Sequence, residues 1–195
     1  VPVAGAGAGT GTVAEVVLLR DITTDDRWSY GVQDTVAHLS DPANAGVIGG
    51  ATSISVEDTA ANLLALGAPI PGALAVTVAG GEAGALAVAD VATLAAITTD
   101  DGWHYSLVDT AAHLAASGAV GDGAVNVVAA DPASAVEATA IVGLANSGGV
   151  AYGIIYTAAA IAAQIAGGTP DLYRDATAIV HGDVQVGAAT GTDAV

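Results

Sequence analysis

The chain has 195 residues, of which 53% are hydrophobic, enough for one ordinary domain or a short solenoid. Twenty acidic residues stand against three basic ones (Arg20, Arg27 and Arg174), a net charge of −17, which disfavours nucleic acid and anionic membrane surfaces as partners. Cys, Met, Phe and Lys are all absent. Disulfides, thiolate chemistry, a phosphate-binding P-loop and a Schiff-base lysine are therefore excluded, and the core must be built from Ala, Val, Leu and Ile.

Taken from the N-terminus, residues 1–12 are rich in Gly and Ala, lack a basic start of the kind that opens a secretory signal, and read as a flexible segment. Residues 13–187 read as one repeat domain and 188–195 as a flexible tail; both ends read as cut from something longer. No apolar run reaches transmembrane length without Gly or a charge, so membrane insertion is not expected. Short β-branched runs predict strands at Tyr30 to Val32, Ile54 to Val56, Leu74 to Val78, Tyr105 to Val108, Val125 to Val128, Tyr152 to Ile155 and Ala178 to Val186. Most are followed by Asp, Thr or Ser and then by an Ala/Leu-rich stretch with helical spacing, such as Thr59 to Leu66 or Thr157 to Ile165. The Leu74 to Val78 unit is expected to enter its helix through Gly80, Gly81 and Glu82 instead. Gly67, Gly118, Asn146 and Gly167 read as helix stops.

The chain also repeats itself. Ile22-Thr23-Thr24-Asp25-Asp26-Arg27-Trp28 returns 75 residues later as Ile97-Thr98-Thr99-Asp100-Asp101-Gly102-Trp103, and the copies stay in register to Leu39 and Leu114. Shorter matches subdivide this period into strand–helix units of roughly 21 to 28 residues, the size of a solenoid repeat. Alternating strands and short helices with brief links imply parallel strands and right-handed crossovers. The expected fold is a right-handed α/β solenoid of about seven rungs with a parallel sheet.

In Asp34-Thr35, Asp58-Thr59 and Asp109-Thr110 the side-chain oxygens suit the free N–H groups at a helix start, so the three aspartates read as caps. The units they begin, as in Val56-Glu57-Asp58-Thr59-Ala60-Ala61-Asn62-Leu63, resemble the "DTAANI" repeats of very large bacterial secreted and surface proteins over residues 13 to 166. Such proteins are similar to type I-secreted adhesins, biofilm matrix proteins and S-layer-like proteins. The resemblance implies an extracellular or cell-surface location and a structural role, with no catalytic residue to carry over. It also implies self-association or further repeats of the same parent chain as partners.

Little in the sequence points to catalysis. The Gly5 to Gly11 run lacks the spacing of a dinucleotide-binding loop. His38 and His113 occupy equivalent repeat positions where Asn62 and Ala160 also occur, which reads as a rim position rather than a metal ligand. Asp25 and Asp26 beside Trp28, and Asp100 and Asp101 beside Trp103, read as acidic turns with a packing aromatic. The functional alternative is a Ca²⁺ or glycan site at these four aspartates, the only cofactor or ligand the sequence suggests. A paired-carboxylate glycosidase fits less well, because an active site need not be duplicated with the fold. The expectation is a non-catalytic structural module that stacks rungs into a filament or layer.

Overall fold

The computed structural model describes residues 8–23, 28–70 and 72–157, together with 159, 166, 172 and 175–181. The chain divides into two compact units, Val1–Tyr105 and Ser106–Val195. The first contains β1 (Ala8–Gly11), α1 (Val13–Ile22), β2 (Tyr30–Asp34), α2 (Val36–Ser40), α3 (Ala45–Ile48), β3 (Ser53–Asp58), α4 (Ala60–Leu66), β4 (Ala73–Val78), β5 (Glu82–Leu86) and α5 (Val88–Ile97). Then come β6 (His104–Asp109), α6 (Ala111–Ala115), α7 (Ala119–Asp122), β7 (Val127–Ala129), α8 (Ala135–Val142), β8 (Val150–Ala151), β9 (Gly153–Tyr156) and β10 (Ala178–His181).

The fold is α/β with parallel strands, as expected. Its strands form two four-stranded sheets and a two-stranded one. One continuous sheet of about seven rungs is therefore not what the described residues make. In the first unit the sheet order is β1-β2-β3-β4, with every neighbouring pair parallel. In the second unit β6 pairs with β7, β7 with β8 and β9 with β10, again parallel. The physical reason is that a helix follows most strands and carries the chain back to the same end before the next strand begins.

Several local readings change. Ala8–Gly11, inside the segment expected to be flexible, is a strand paired with β2. Gly80 and Gly81, at φ 67° and 70°, do not lead into a helix; a 3-10 turn over Ala79–Gly81 turns the chain into β5, and α5 starts only at Val88. β7 starts at Val127 rather than Val125; the strand expected over Tyr152 to Ile155 is β9, Gly153–Tyr156, and the two-residue β8 before it was not expected. Gly67 ends α4 at φ 65°, a left-handed stop that suits glycine. Most of the expected helix over Thr157 to Ile165 (all but Thr157 and Ala159), and the end of the strand expected to reach Val186, lie outside the described residues.

The 75-residue period extends further in structure than in sequence. α1 (13–22) corresponds to α5 (88–97) and α2 (36–40) to α6 (111–115), residue for residue. β1 matches the last four residues of β5, and α4 matches all but the last residue of α8. Apart from a 3-10 turn over Pro42–Asn44 in the first copy alone, residues 8–66 and 83–141 build strands and α-helices in the same order, although their identities coincide mainly between Ile22 and Leu39 and between Ile97 and Leu114.

The core follows the composition. At the start of the first unit Val13, Val16, Tyr30, Val32 and Val47 form one buried cluster, with Trp28, Leu39 and Ala51 packed on its margin. Val56, Leu63, Val76 and Leu94 are buried in the same unit, and Leu107, Leu114, Val127, Ile141 and Ile154 in the second. Among the described residues Tyr152 is the largest side chain fully buried; Tyr30 and Tyr152 each turn the hydroxyl onto a backbone carbonyl, Val47 O at 2.7 Å and Leu172 O at 2.9 Å. A buried phenol is tolerated when its O–H finds such an acceptor. In both places a threonine at the entry to the next strand, Thr52 or Thr177, donates its N–H and its Oγ1–H to the carbonyl of that tyrosine.

Candidate functional site

The side chains that recur with chemistry attached lie at the helix starts. Thr12, Thr35, Thr59, Thr110 and Ser134 are the caps, each hydroxyl accepting from the N–H three residues on. At Thr12 and Ser134 the box closes, since Glu15 and Glu137 accept in return from the capping residue's N–H at 2.8 Å. Glu15 is held below the usual carboxylate range, first by that backbone hydrogen bond and then by the Thr12 hydroxyl.

The aspartate before the threonine plays a different part from the one its position suggests. It does not cap the helix that follows it; it bridges that helix and the preceding one. Asp58 Oδ1 accepts from Thr59 N at 2.7 Å and from Asn62 Nδ2 at 2.8 Å, while Oδ2 accepts at 2.9 Å from Val36 N, the first residue of α2. Asp34 repeats the pattern with Thr35 N at 2.8 Å, His38 Nδ1 at 2.7 Å and Val13 N, the first residue of α1, at 2.9 Å. Asp109 accepts from Thr110 N at 2.7 Å and His113 Nδ1 at 2.8 Å. The first N–H of α6 is held at 2.6 Å by Asp131, which follows β7. One carboxylate thus satisfies orphan N–H groups on two successive helices. Burial pushes the pKa of Asp34 and Asp58 upward, but the hydrogen bonds outweigh it. His38, Thr35 and Val13 hold Asp34, and Asn62, Thr59 and Val36 hold Asp58, below the ordinary aspartate value.

These clamps explain why His and Asn alternate at one repeat position. His38, Asn62 and His113 all present a nitrogen to the aspartate four residues earlier. A carboxylate can only accept, so the histidine Nδ1 carries the hydrogen. The His–Asp pair has the geometry of a general-base dyad, yet Asn62 takes the same place in the next rung and makes the same bond. The shared property is a donor to the carboxylate.

Of the four aspartates singled out as a Ca²⁺ site, Asp25 and Asp26 lie outside the described residues. Asp100 and Asp101 are exposed between α5 and β6, and Asp100 Oδ1 accepts from Gly102 N at 2.8 Å, closing a turn on itself. Among the described residues no three acidic or histidine side chains converge as a metal would need. The tryptophans pack on tyrosines two residues on, Trp28 on Tyr30 with ring centroids 4.9 Å apart and Trp103 on Tyr105 at 5.3 Å. Trp103 Nε1 is buried with no hydrogen-bond partner. Burial also raises the Tyr105 phenol above its ordinary value.

The sequence missed Asp131, whose neighbours Ala129, Ala130 and Pro132 carry no Asp-Thr signature. It also missed the apolar end of the first unit, where β1, α1 and Trp28 border an open groove of about 520 Å³. No described helix is long and apolar enough to cross a membrane. No family model, no curated protein and no solved structure matches this chain.

Proposed function

We propose that this chain is a non-catalytic structural repeat module, working outside the cell or on its surface, that forms or extends a filament or layer by stacking strand–helix rungs. In this reading its rungs continue one another as a right-handed α/β solenoid. The observation that carries it is the aspartate clamp. Asp34 and Asp58 each tie the start of one helix to the start of the next, so the conspicuous polar side chains of the repeat join rung to rung. The return of residues 8–66 as 83–141, with strands and α-helices in the same order, supports it, because duplication of a whole stacking unit lengthens a scaffold and does nothing for a single active site. The acidic composition suits a solvated surface, and the Asp-Thr-Ala-Ala-Asn-Leu repeat resembles those of large bacterial surface and secreted proteins.

The test is to lengthen the stack by one period. A second copy of residues 12–86 inserted after Leu86 keeps the strand register, since Gly11 and Leu86 hold equivalent positions at the ends of β1 and β5. The longer chain is expected to fold with the same circular dichroism per residue, melt cooperatively and show a larger maximum dimension in small-angle X-ray scattering. An unfolded or protease-sensitive product, or one whose maximum dimension does not grow, overturns the stacking reading.

A further inference from the structure

The two copies of one helix differ in what covers them. In α5, Leu94 and Ile97 are 0% and 4% exposed. α5 packs against α4, the helix of the preceding rung, and both belong to the first unit. The equivalent positions in α1 are Leu19, half-buried, and Ile22, 62% exposed. Leu18 on the same helix is also 62% exposed, where α5 carries Thr93. The exposed residues continue into the 520 Å³ groove, which Thr10 of β1, Val16, Leu18, Ile22, Trp28 and Tyr30 line. β1 is the edge of its sheet. An uncovered apolar helix face beside an edge strand is a surface for association.

We propose that this end, α1 with the outer edge of β1, docks a second copy of this chain. The same helix, recurring 75 residues later, packs against an Ala/Leu-rich helix of this protein, α4, and there its Leu and Ile are buried. A copy that lays a rung of its own on α1 reproduces a contact the protein already makes. The proposal rests on the stacking reading above and names the surface through which one chain would extend another.

The experiment is sedimentation velocity of the full chain from micromolar to near-millimolar concentration at physiological salt, where repulsion between acidic chains is screened beyond about 8 Å. The wild-type sedimentation coefficient is expected to rise with concentration. Leu18→Glu combined with Ile22→Glu is expected to lose that rise while keeping the wild-type circular dichroism, because both side chains are already exposed. Leu18→Glu alone serves should the pair fail to fold. Val136→Glu, at an 81% exposed site on α8, is expected to behave as wild type. A wild-type chain monomeric throughout, or Glu variants that associate as wild type does, overturns the proposal. Association that appears only after residues 1–7 are removed also overturns it, and assigns the groove to the chain's own N-terminal segment. The two readings fail separately. A wild-type monomer with a well-folded insertion variant leaves the stacking standing and removes this docking surface. Association through α1 with a misfolded insertion variant does the reverse.

Discussion

Asp58 is 4% exposed and ionised, and it is stable there because its two oxygens receive three hydrogen bonds, two of them from backbone N–H groups at helix starts. Removing the carboxylate strands the donors of Val36, Thr59 and Asn62 together. Asp58→Ala is therefore expected to cost about 2–3 kcal/mol, from charge-assisted bonds lost and donors left unpaired. Thr59→Ala removes one cap and should cost about 1 kcal/mol. Urea denaturation of both variants checks the order, and a Thr59 loss equal to or larger than the Asp58 loss would show the bridge to be unimportant. Gly50 illustrates a steric constraint at the same scale. A Cβ there would lie 2.6 Å from the Tyr30 hydroxyl, which needs that space to reach the Val47 carbonyl.

Helices as short as α2 and α6, five residues each, are not stable alone, since a nucleus costs more than one turn returns. What makes them helices is the threonine cap at one end and the clamp on their first N–H, joined in α6 by the buried Ala111 and Leu114. This dependence gives a pH response with a definite sign. Asp34 and Asp58 have folded-state pKa values below the unfolded value near 3.9, so their contribution is complete above that value. It is lost as pH falls through the lower, folded-state values. Glu15 is also held below the ordinary carboxylate range and contributes in the same sense, repulsion from Asp34 being the smallest, opposing cause there; His38 is the hydrogen-bonded partner of Asp34. Urea midpoints measured downward from pH 6 should fall steeply in the acid limb, and the Asp34→Asn/Asp58→Asn variant should show a flatter one. An acid limb unchanged in the variant would remove these two groups as its cause. Much at this scale was legible in the sequence. Strand–helix alternation, the threonine caps of α2, α4 and α6 and Gly67 as a stop all have local physical signatures. Which helix the aspartate serves was not legible, because that depends on a partner 21 or 22 residues away. β1 and β5 were missed for a related reason. Ala-Gly-Thr-Gly and Glu-Ala-Gly-Ala-Leu have little strand preference of their own, and β1 is fixed by its pairing with β2.

For the whole molecule the strongest electrostatic influence is a net charge of −17 on 195 residues, which opposes any compact state. Screening should relieve it, so the melting temperature is expected to rise with NaCl. CaCl₂ and MgCl₂ at matched ionic strength should give equal shifts. A further rise with Ca²⁺ alone, lost in Asp100→Asn/Asp101→Asn, would restore the turn beside Trp103 as a cation site. The period is the other whole-molecule property. Its sequence identity is concentrated in a stretch of some 18 residues, but the order of its strands and α-helices is kept over a longer one, because helix starts and apolar positions tolerate many substitutions that preserve the pattern.

Parallel pairing in the first sheet places Val32 beside Ile54, 22 residues further on, and Val56 beside Val76. The hydrogen bonds between strands run across the sheet, from one rung towards the next. A tether pulling on the sheet in that direction would load one interface at a time and peel strands singly instead of shearing them all together. Each 22-residue rung set free would release about 75 Å of extended chain. A scaffold made this way would lengthen in steps under load and could re-form its clamps when the load is released.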